Sequence, residues 1–312
     1  MSFKIDLHPK PGFKLVRITN CETLVHIDIA TKGGIINSWV QSPLKHGFDI
    51  IDGNDFSNGW VNFEGNGFKS GKMNPYSCRL NKGTYQHNSN KYTINKFYLG
   101  EHAIHGLLYD AEFELIHTET NDQEAAVLLS YDYHKEDNGF PFNYSVQLKW
   151  TLHKENKVTV QTIITSKDEN SFPMMDGWHP YFKLGDTINN CSVQFINKGI
   201  LEYDQSLIPT GNILPNHQFE NSQSLTGIEL DNGYALDAEN ATCILENNEY
   251  KLVVSPDANY SYLQLYTPPH RNSIAIENLS AAPDCFNNKM GLHIMQPQEV
   301  WSLETSFQLF YK

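Results

Sequence analysis

The run Asp176-Gly177-Trp178-His179-Pro180-Tyr181-Phe182-Lys183-Leu184 sets one imidazole between aromatic side chains and directly before a proline. The proline removes a backbone donor and biases His179 toward an extended conformation, so the ring is held rather than floppy. An imidazole, with an ordinary pKa of about 6.5, gives and regains a proton near neutrality. A histidine in such a setting also serves as a satisfied core or loop residue. Further along, Ser273-Ile274-Ala275-Ile276-Glu277 reads as a strand, with Ile274 and Ile276 toward the core and Ser273, Ala275 and Glu277 on the other face. Small residues beside the carboxylate leave room for a cleft. At the end of a core strand and ahead of the Pro283 loop, Glu277 is a reasonable general base, although a solvated strand-end carboxylate is the commoner case.

Other stretches carry weaker chemistry. In Asn74 to Tyr85, Arg79 precedes a glycine-containing turn that starts a strand. A guanidinium there is either a surface charge or a fork of donors for neighbouring hydroxyls. His102-Ala103-Ile104-His105-Gly106 has the H-x-x-H spacing of a metal site, yet no Cys, Asp or Glu stands at a convincing ligand distance along the chain. The glycine after His105 is better read as letting backbone approach something closely. Gly65 to Lys72 has the look of a phosphate loop, but its glycine spacing is wrong and Met73 stands where Ser or Thr would bind magnesium. Pro209-Thr210-Gly211 and Asp231-Asn232-Gly233-Tyr234 are expected to be tight turns, and Asp231 alone is turn chemistry.

The elements that must position these residues read as strands throughout. Leu24 to Ala30 alternates, Gly33-Gly34 breaks the pattern, and Ile35 to Val40 follows, which predicts a hairpin. Phe142, Tyr144, Val146, Leu148, Trp150 and Leu152 fall on one face of a long strand that turns at His153 to Lys157 into Val158 to Ile164. Trp301, Leu303, Thr305, Phe307 and Leu309 repeat the period near the C-terminus, as a strand inside a sheet does. Seventeen Phe, sixteen Tyr and five Trp among 312 residues fit an all-β protein with ample core and no need of a disulfide. With no internal repeat and no Pro/Ser/Gly-rich linker, residues 1–312 are expected to form a single domain. A net charge of −13 repels nucleic acid and anionic membranes. Five widely spaced cysteines without a C-x-x-C pair fit reduced thiols in a cytoplasm, and no signal-peptide or membrane-spanning run is present in the sequence.

Taken in order, Cys78 to Tyr85, Ile104-His105-Gly106, Trp178 to Phe182, Pro209-Thr210-Gly211, Asp231 to Tyr234 and Ile276-Glu277 to Pro283-Asp284 resemble the aldose 1-epimerase (galactose mutarotase) family over almost the whole chain. The resemblance implies a large antiparallel β-sandwich, the galactose mutarotase-like supersandwich, and interconversion of the α and β anomers of free aldoses. It implies Glu277 as the base that takes the O1 proton and His179 as the acid that protonates the ring oxygen. His105 holds and polarises the sugar, Arg79 and Asp231 bond its hydroxyls, and Tyr181 and Phe182 shape the pocket or belong to the core. No metal and no organic cofactor is implied. The expected partner is a monosaccharide, with neither nucleic acid nor membrane, and the protein is expected to be a monomer or a weak homodimer.

Several positions depart from the family's pattern. Better-studied galactose mutarotases carry Asn-His-Ser/Thr-Tyr-Phe around the acid and a double arginine at the binding site, where this chain has Trp178-His179-Pro180 and a single Arg79. Asn278 and Cys285 also differ. Alternatives on the same fold are a hexose-6-phosphate 1-epimerase, for which Lys69, Lys72, Lys82 and Lys289 are the available cations, and a non-catalytic sugar-binding or sensor protein. A sensor needs no acid–base pair. A purely structural sandwich leaves the ordered motifs unexplained.

Overall fold

The computed structural model describes residues 2–42, 47–61, 67–237 and 239–312. Alternating apolar and polar residues produce two large antiparallel sheets, one of nine strands and one of eight. The nine-stranded sheet is built on the long hairpin of Asn143–His153 and Lys157–Ser166, paired from Tyr144↔Ser166 to His153↔Lys157 as the alternation predicts. The strand Val300–Tyr311 lies within this sheet between Lys157–Ser166 and Tyr250–Pro256. Its Leu303, Thr305, Phe307 and Leu309 are buried while Ser302 and Glu304 are exposed.

The eight-stranded sheet carries the chemistry. It runs through Pro209–Leu214, Asn197–Tyr203, Asp231–Leu236, Tyr262–Tyr266, Ile274–Leu279, Gly177–His179 and Gly71–Met73, with Tyr181–Phe182 also paired to Ile274–Leu279. Pro180 divides the His179 strand from the Tyr181 strand, since a proline cannot donate to the ladder. The two large sheets face one another. Trp150 on one meets Trp178 on the other with centroids 5.1 Å apart, and Phe182 meets Phe307 at 5.3 Å. The result is the all-β sandwich the sequence predicts, with its apolar core between the sheets.

One charged cluster is buried in that core. The Lys72 ammonium donates to the Asp176 carboxylate and to Thr162 Oγ1 (3.1 Å), and lies 4.1 Å from the Trp178 ring centroid. Asp176 also accepts from Asn74 Nδ2 at 3.0 Å and from the Tyr260 hydroxyl at 2.8 Å. Burial lowers the Lys72 pKa to about 8 against the opposing pull of Asp176. The group joins both sheets directly beneath the His179 strand, where Trp178 pairs with Lys72 and His179 with Gly71.

A four-stranded sheet at the N-terminal end contains the expected hairpin, His26–Ala30 with Ile36–Val40, and Gly33 and Gly34 take positive φ at its turn. Two expected turns are corrected. Pro209–Leu214 and Asp231–Leu236 are strands, so Pro209-Thr210-Gly211 and Asp231 to Tyr234 do not form the turns expected of them. Gly233 is needed for packing rather than for a turn, because a Cβ there would stand 2.5 Å from the Tyr203 hydroxyl. Of the phosphate-loop look-alike, Gly65 and Asn66 lie outside the described residues, while Gly71 to Met73 forms a strand. All five cysteines are free. Among the described residues no helix is long and apolar enough to cross a membrane.

Candidate active site

His179 and Glu277 come from strands of one sheet, and the polypeptide gives both very little solvent. His179 Nε2 lies 3.4 Å from Glu277 Oε1, and the two residues are 4% and 1% exposed. Glu277 stands inside the strand Ile274–Leu279 rather than at its end, a correction to the solvated strand-end alternative. Neither Glu277 Oε2 nor His179 Nδ1 has a hydrogen-bond partner among the described residues. Two buried polar atoms without partners are unusual, because interiors satisfy nearly all such groups.

The environment sets the charge state. Burial pushes the His179 imidazole down to about 4. Burial, reinforced by the Asp231 carboxylate, holds Glu277 well above the usual carboxylate range. Both shifts have the same origin, since a low dielectric disfavours whichever form is charged. Between the two limits the pair therefore holds a single proton.

His105 closes the site from another direction. Its ring Nδ1 accepts from the Cys78 backbone N–H at 3.2 Å while the His105 backbone N–H donates to the Cys78 carbonyl at 3.0 Å. That reciprocal bond places the ring proton on Nε2, which makes the free edge a donor. Burial, with His179 and Arg79 nearby, keeps His105 neutral by holding its pKa far below the ordinary value. Cys78 and His105 both adopt left-handed backbone, φ 49° and 55°. Such conformations in non-glycine residues mark places where the surroundings over-determine the chain. Here the neighbour is Gly106, whose absent Cβ would meet the Asn74 carbonyl oxygen at 2.3 Å, so only glycine permits the close approach expected from its position after His105. The His105 and His179 rings lie 5.0 Å apart at 82°.

The H-x-x-H spacing has a structural explanation. His102 Nδ1 accepts the Lys82 N–H at 3.1 Å, so both histidines of the motif brace backbone. Among the described residues no group of three or more His, Cys, Asp or Glu side chains is arranged to hold a metal ion.

These groups line a cavity of about 210 Å³, which also takes in Arg79, Asp231 and Tyr181. All six residues singled out in the sequence thus meet in one place. Arg79 pairs through Ile104 to the His105 segment, and burial raises the Asp231 pKa against the opposing pull of the Arg79 guanidinium. Asp231, solvent-exposed at the first position of its strand, accepts from Gln264 Nε2 at 2.8 Å. Tyr181 stacks on His179 with centroids 4.9 Å apart, and its hydroxyl donates to the Gly67 carbonyl at 2.9 Å. Phe182 is core, not pocket.

Sequence reasoning did not find Gln264. It sits opposite Glu277 in the strand register, accepts from the Tyr203 hydroxyl at 3.1 Å and bonds Asp231. Its signal was its place in Tyr262–Tyr266, where a buried glutamine interrupts Leu263 and Leu265. Lys69, Lys72, Lys82 and Lys289 do not line this cavity, and Arg79 is the permanent cation among the described residues that do.

A buried imidazole and a buried carboxylate thus meet at a cavity of about 210 Å³ on the eight-stranded sheet of a β-sandwich. Residues 14–308 match the model of the aldose 1-epimerase family, and the chain belongs to that family. Among solved structures it is similar to a galactose mutarotase-like protein from Clostridium acetobutylicum, with TM-score 0.88, 17% identity and 100% of this chain covering 99% of that one. It is also similar to a galactose 1-epimerase from Lactobacillus acidophilus, with TM-score 0.83, 15% identity and coverage of 99% and 98%. An aldose epimerase homologue from C. elegans gives TM-score 0.80 at 15% identity, with 99% of each chain covered. At these identities the likeness is one of fold.

Proposed function

We propose that the protein is an aldose 1-epimerase that interconverts the α and β anomers of free aldoses such as glucose or galactose. The observation that carries this reading is the 3.4 Å approach of His179 Nε2 to Glu277 Oε1 inside a cavity lined by Arg79, His105 and Asp231. With the shared proton on His179 and Glu277 ionised, Glu277 takes the proton from the anomeric O1 hydroxyl. The C1–ring oxygen bond breaks as His179 gives its proton to the ring oxygen, leaving an open-chain aldehyde. After rotation about C1–C2 the same two groups exchange roles, and the ring closes on the other face. The open-chain stage leaves Glu277 protonated and His179 neutral, the charge state that burial favours. His105 Nε2–H and the Arg79 guanidinium donate to sugar oxygens, while Asp231 accepts from hydroxyls.

A free aldose fits better than its 6-phosphate. Arg79 alone among the described lining residues carries a fixed positive charge, and two carboxylates share the cavity with it. Lys69 is already paired with Asp52 at 2.7 Å, and Lys72 is consumed by Asp176. The five free thiols suit a cytoplasmic setting.

The test is polarimetry or saturation-transfer NMR on freshly dissolved α-D-glucose and α-D-galactose, with their 6-phosphates alongside. Faster anomer exchange of a free sugar is expected. Acceleration confined to a phosphate would instead make this a hexose-6-phosphate 1-epimerase, and binding without acceleration would make it a sensor.

A further inference from the structure

Four neighbouring strands of the eight-stranded sheet bring Tyr203, Asp231, Gln264 and Glu277 together in the lining of the cavity. We propose that Tyr203 is a positioning residue for sugar binding, which by gripping the Gln264 amide keeps the Asp231 carboxylate set to accept from a sugar hydroxyl. The proposal rests on the reading of this cavity as the aldose site.

The register supplies the first argument. Gln264 stands opposite Glu277 on one side and opposite Gly233 on the other, so the three residues form one row on the same face of the sheet. Gly233 leaves a gap in that row. The Tyr203 hydroxyl, from the next strand, reaches into it, since a Cβ on Gly233 would stand 2.5 Å from that hydroxyl and 3.0 Å from Gln264 Oε1. The glycine thus makes room for one bond, donated by the Tyr203 hydroxyl to Gln264 Oε1 at 3.1 Å.

The polarity of the amide supplies the second argument. An ionised carboxylate only accepts, so Asp231 Oδ1 takes the Nε2 end of Gln264 at 2.8 Å and turns the Oε1 end away. That end belongs to a buried side chain, and the Tyr203 hydroxyl supplies its donor. Gripped at both ends, the amide has one orientation. Without the hydroxyl a buried carbonyl is left unpaired, and the side chain turns toward another donor and loosens its bond to Asp231. Tyr203 gives its single proton to Gln264 and so acts on the sugar through Asp231.

The test compares Tyr203→Phe, Gln264→Leu and the double variant in anomer exchange of glucose and galactose. Tyr203→Phe should raise KM about threefold, the scale of one weak hydrogen bond, with kcat little changed, and Gln264→Leu should raise KM at least as far. The double variant should be no worse than Gln264→Leu alone, because the hydroxyl then has nothing left to hold. Additive effects would make Tyr203 a direct sugar contact and overturn the proposal, as would an unchanged KM or a fall confined to kcat.

A second measurement needs no sugar. The Asp231 carboxyl, assigned with Asp231→Asn, is titrated by carbon-13 NMR in the wild type and in Tyr203→Phe, both of which keep Arg79 and Glu277 as its charged neighbours. Because the Gln264 bond favours the ionised form, the midpoint should rise in the variant. If no sugar is turned over, the reading of the cavity fails, while this titration still judges the link from Tyr203 to Asp231, and an unmoved midpoint would overturn it.

Discussion

His179 Nε2 faces Glu277 Oε1 across 3.4 Å, and that short separation between two buried titratable groups means that they ionise as a unit. Protons leave such a unit in two macroscopic steps belonging to the pair. The first lies near pH 4, where burial has moved His179, and the second lies above the ordinary carboxylate range, where burial has moved Glu277. Only the singly protonated pair has both a base and an acid. We therefore expect kcat/KM for anomer exchange to be bell-shaped, with its acid limb near pH 4 and an alkaline limb above the usual glutamate range. Profiles corrected for spontaneous mutarotation check this, and an alkaline limb that survived Glu277→Gln would assign it to another group.

Removing either member should lower turnover far more than it alters the fold. Glu277→Gln and His179→Asn are each expected to reduce kcat by on the order of a hundredfold or more, in line with general acid–base contributions. Stability should move the other way for Glu277→Gln. A carboxyl whose pKa is raised by folding contributes stability below its unfolded pKa and loses it as pH rises through the folded one. The glutamine variant should then melt higher than wild type at pH 8, with the gap closing toward pH 4. Equal melting curves at both values would contradict the raised pKa of Glu277.

On the proposed function, Arg79 acts on the sugar and not on the proton. Arg79→Ala is expected to raise KM by about tenfold, the scale of one charged hydrogen bond of roughly 1.5 kcal/mol, while kcat changes little. Gln264→Leu should give the same pattern more weakly, because it releases the Asp231 carboxylate from its 2.8 Å bond. Steady-state kinetics separate the two parameters, and a fall confined to kcat would place Arg79 in the chemical step.

The Lys72–Asp176 pair is expected to dominate the stability of the site's floor. Lys72→Met leaves a wholly buried carboxylate without its counter-charge, for which about 3–5 kcal/mol of destabilisation is typical. Chemical denaturation measures it. A loss below about 1 kcal/mol would mean that the Asn74 and Tyr260 donors alone satisfy Asp176.

Most of the framework was legible because its residues obey a period of two. The hairpin from Asn143 to Ser166 and the strand Val300–Tyr311 alternate cleanly, and each has one buried face. His179 and Glu277 stood out because a proline follows one and small residues flank the other. Other features had no local signature. Gln264 becomes a pocket residue only through its register with Glu277, and Lys72 meets Asp176 from 104 residues away. The misread turns show the converse. Asp231-Asn232-Gly233 has turn composition, yet the glycine answers to the Tyr203 hydroxyl in the neighbouring strand, a contact that no sequence window contains.

The position of Val300–Tyr311 bears on how the protein is made. This strand is synthesised after every other element described, yet it joins Lys157–Ser166 to Tyr250–Pro256 in the interior of the nine-stranded sheet. Until it leaves the ribosome, both of those strands present open edges with unpaired backbone groups, the kind of surface that recruits other chains. The sheet can therefore close only after translation has passed its last strand. Nascent chains stalled short of residue 300 should be the aggregation-prone species in the cell.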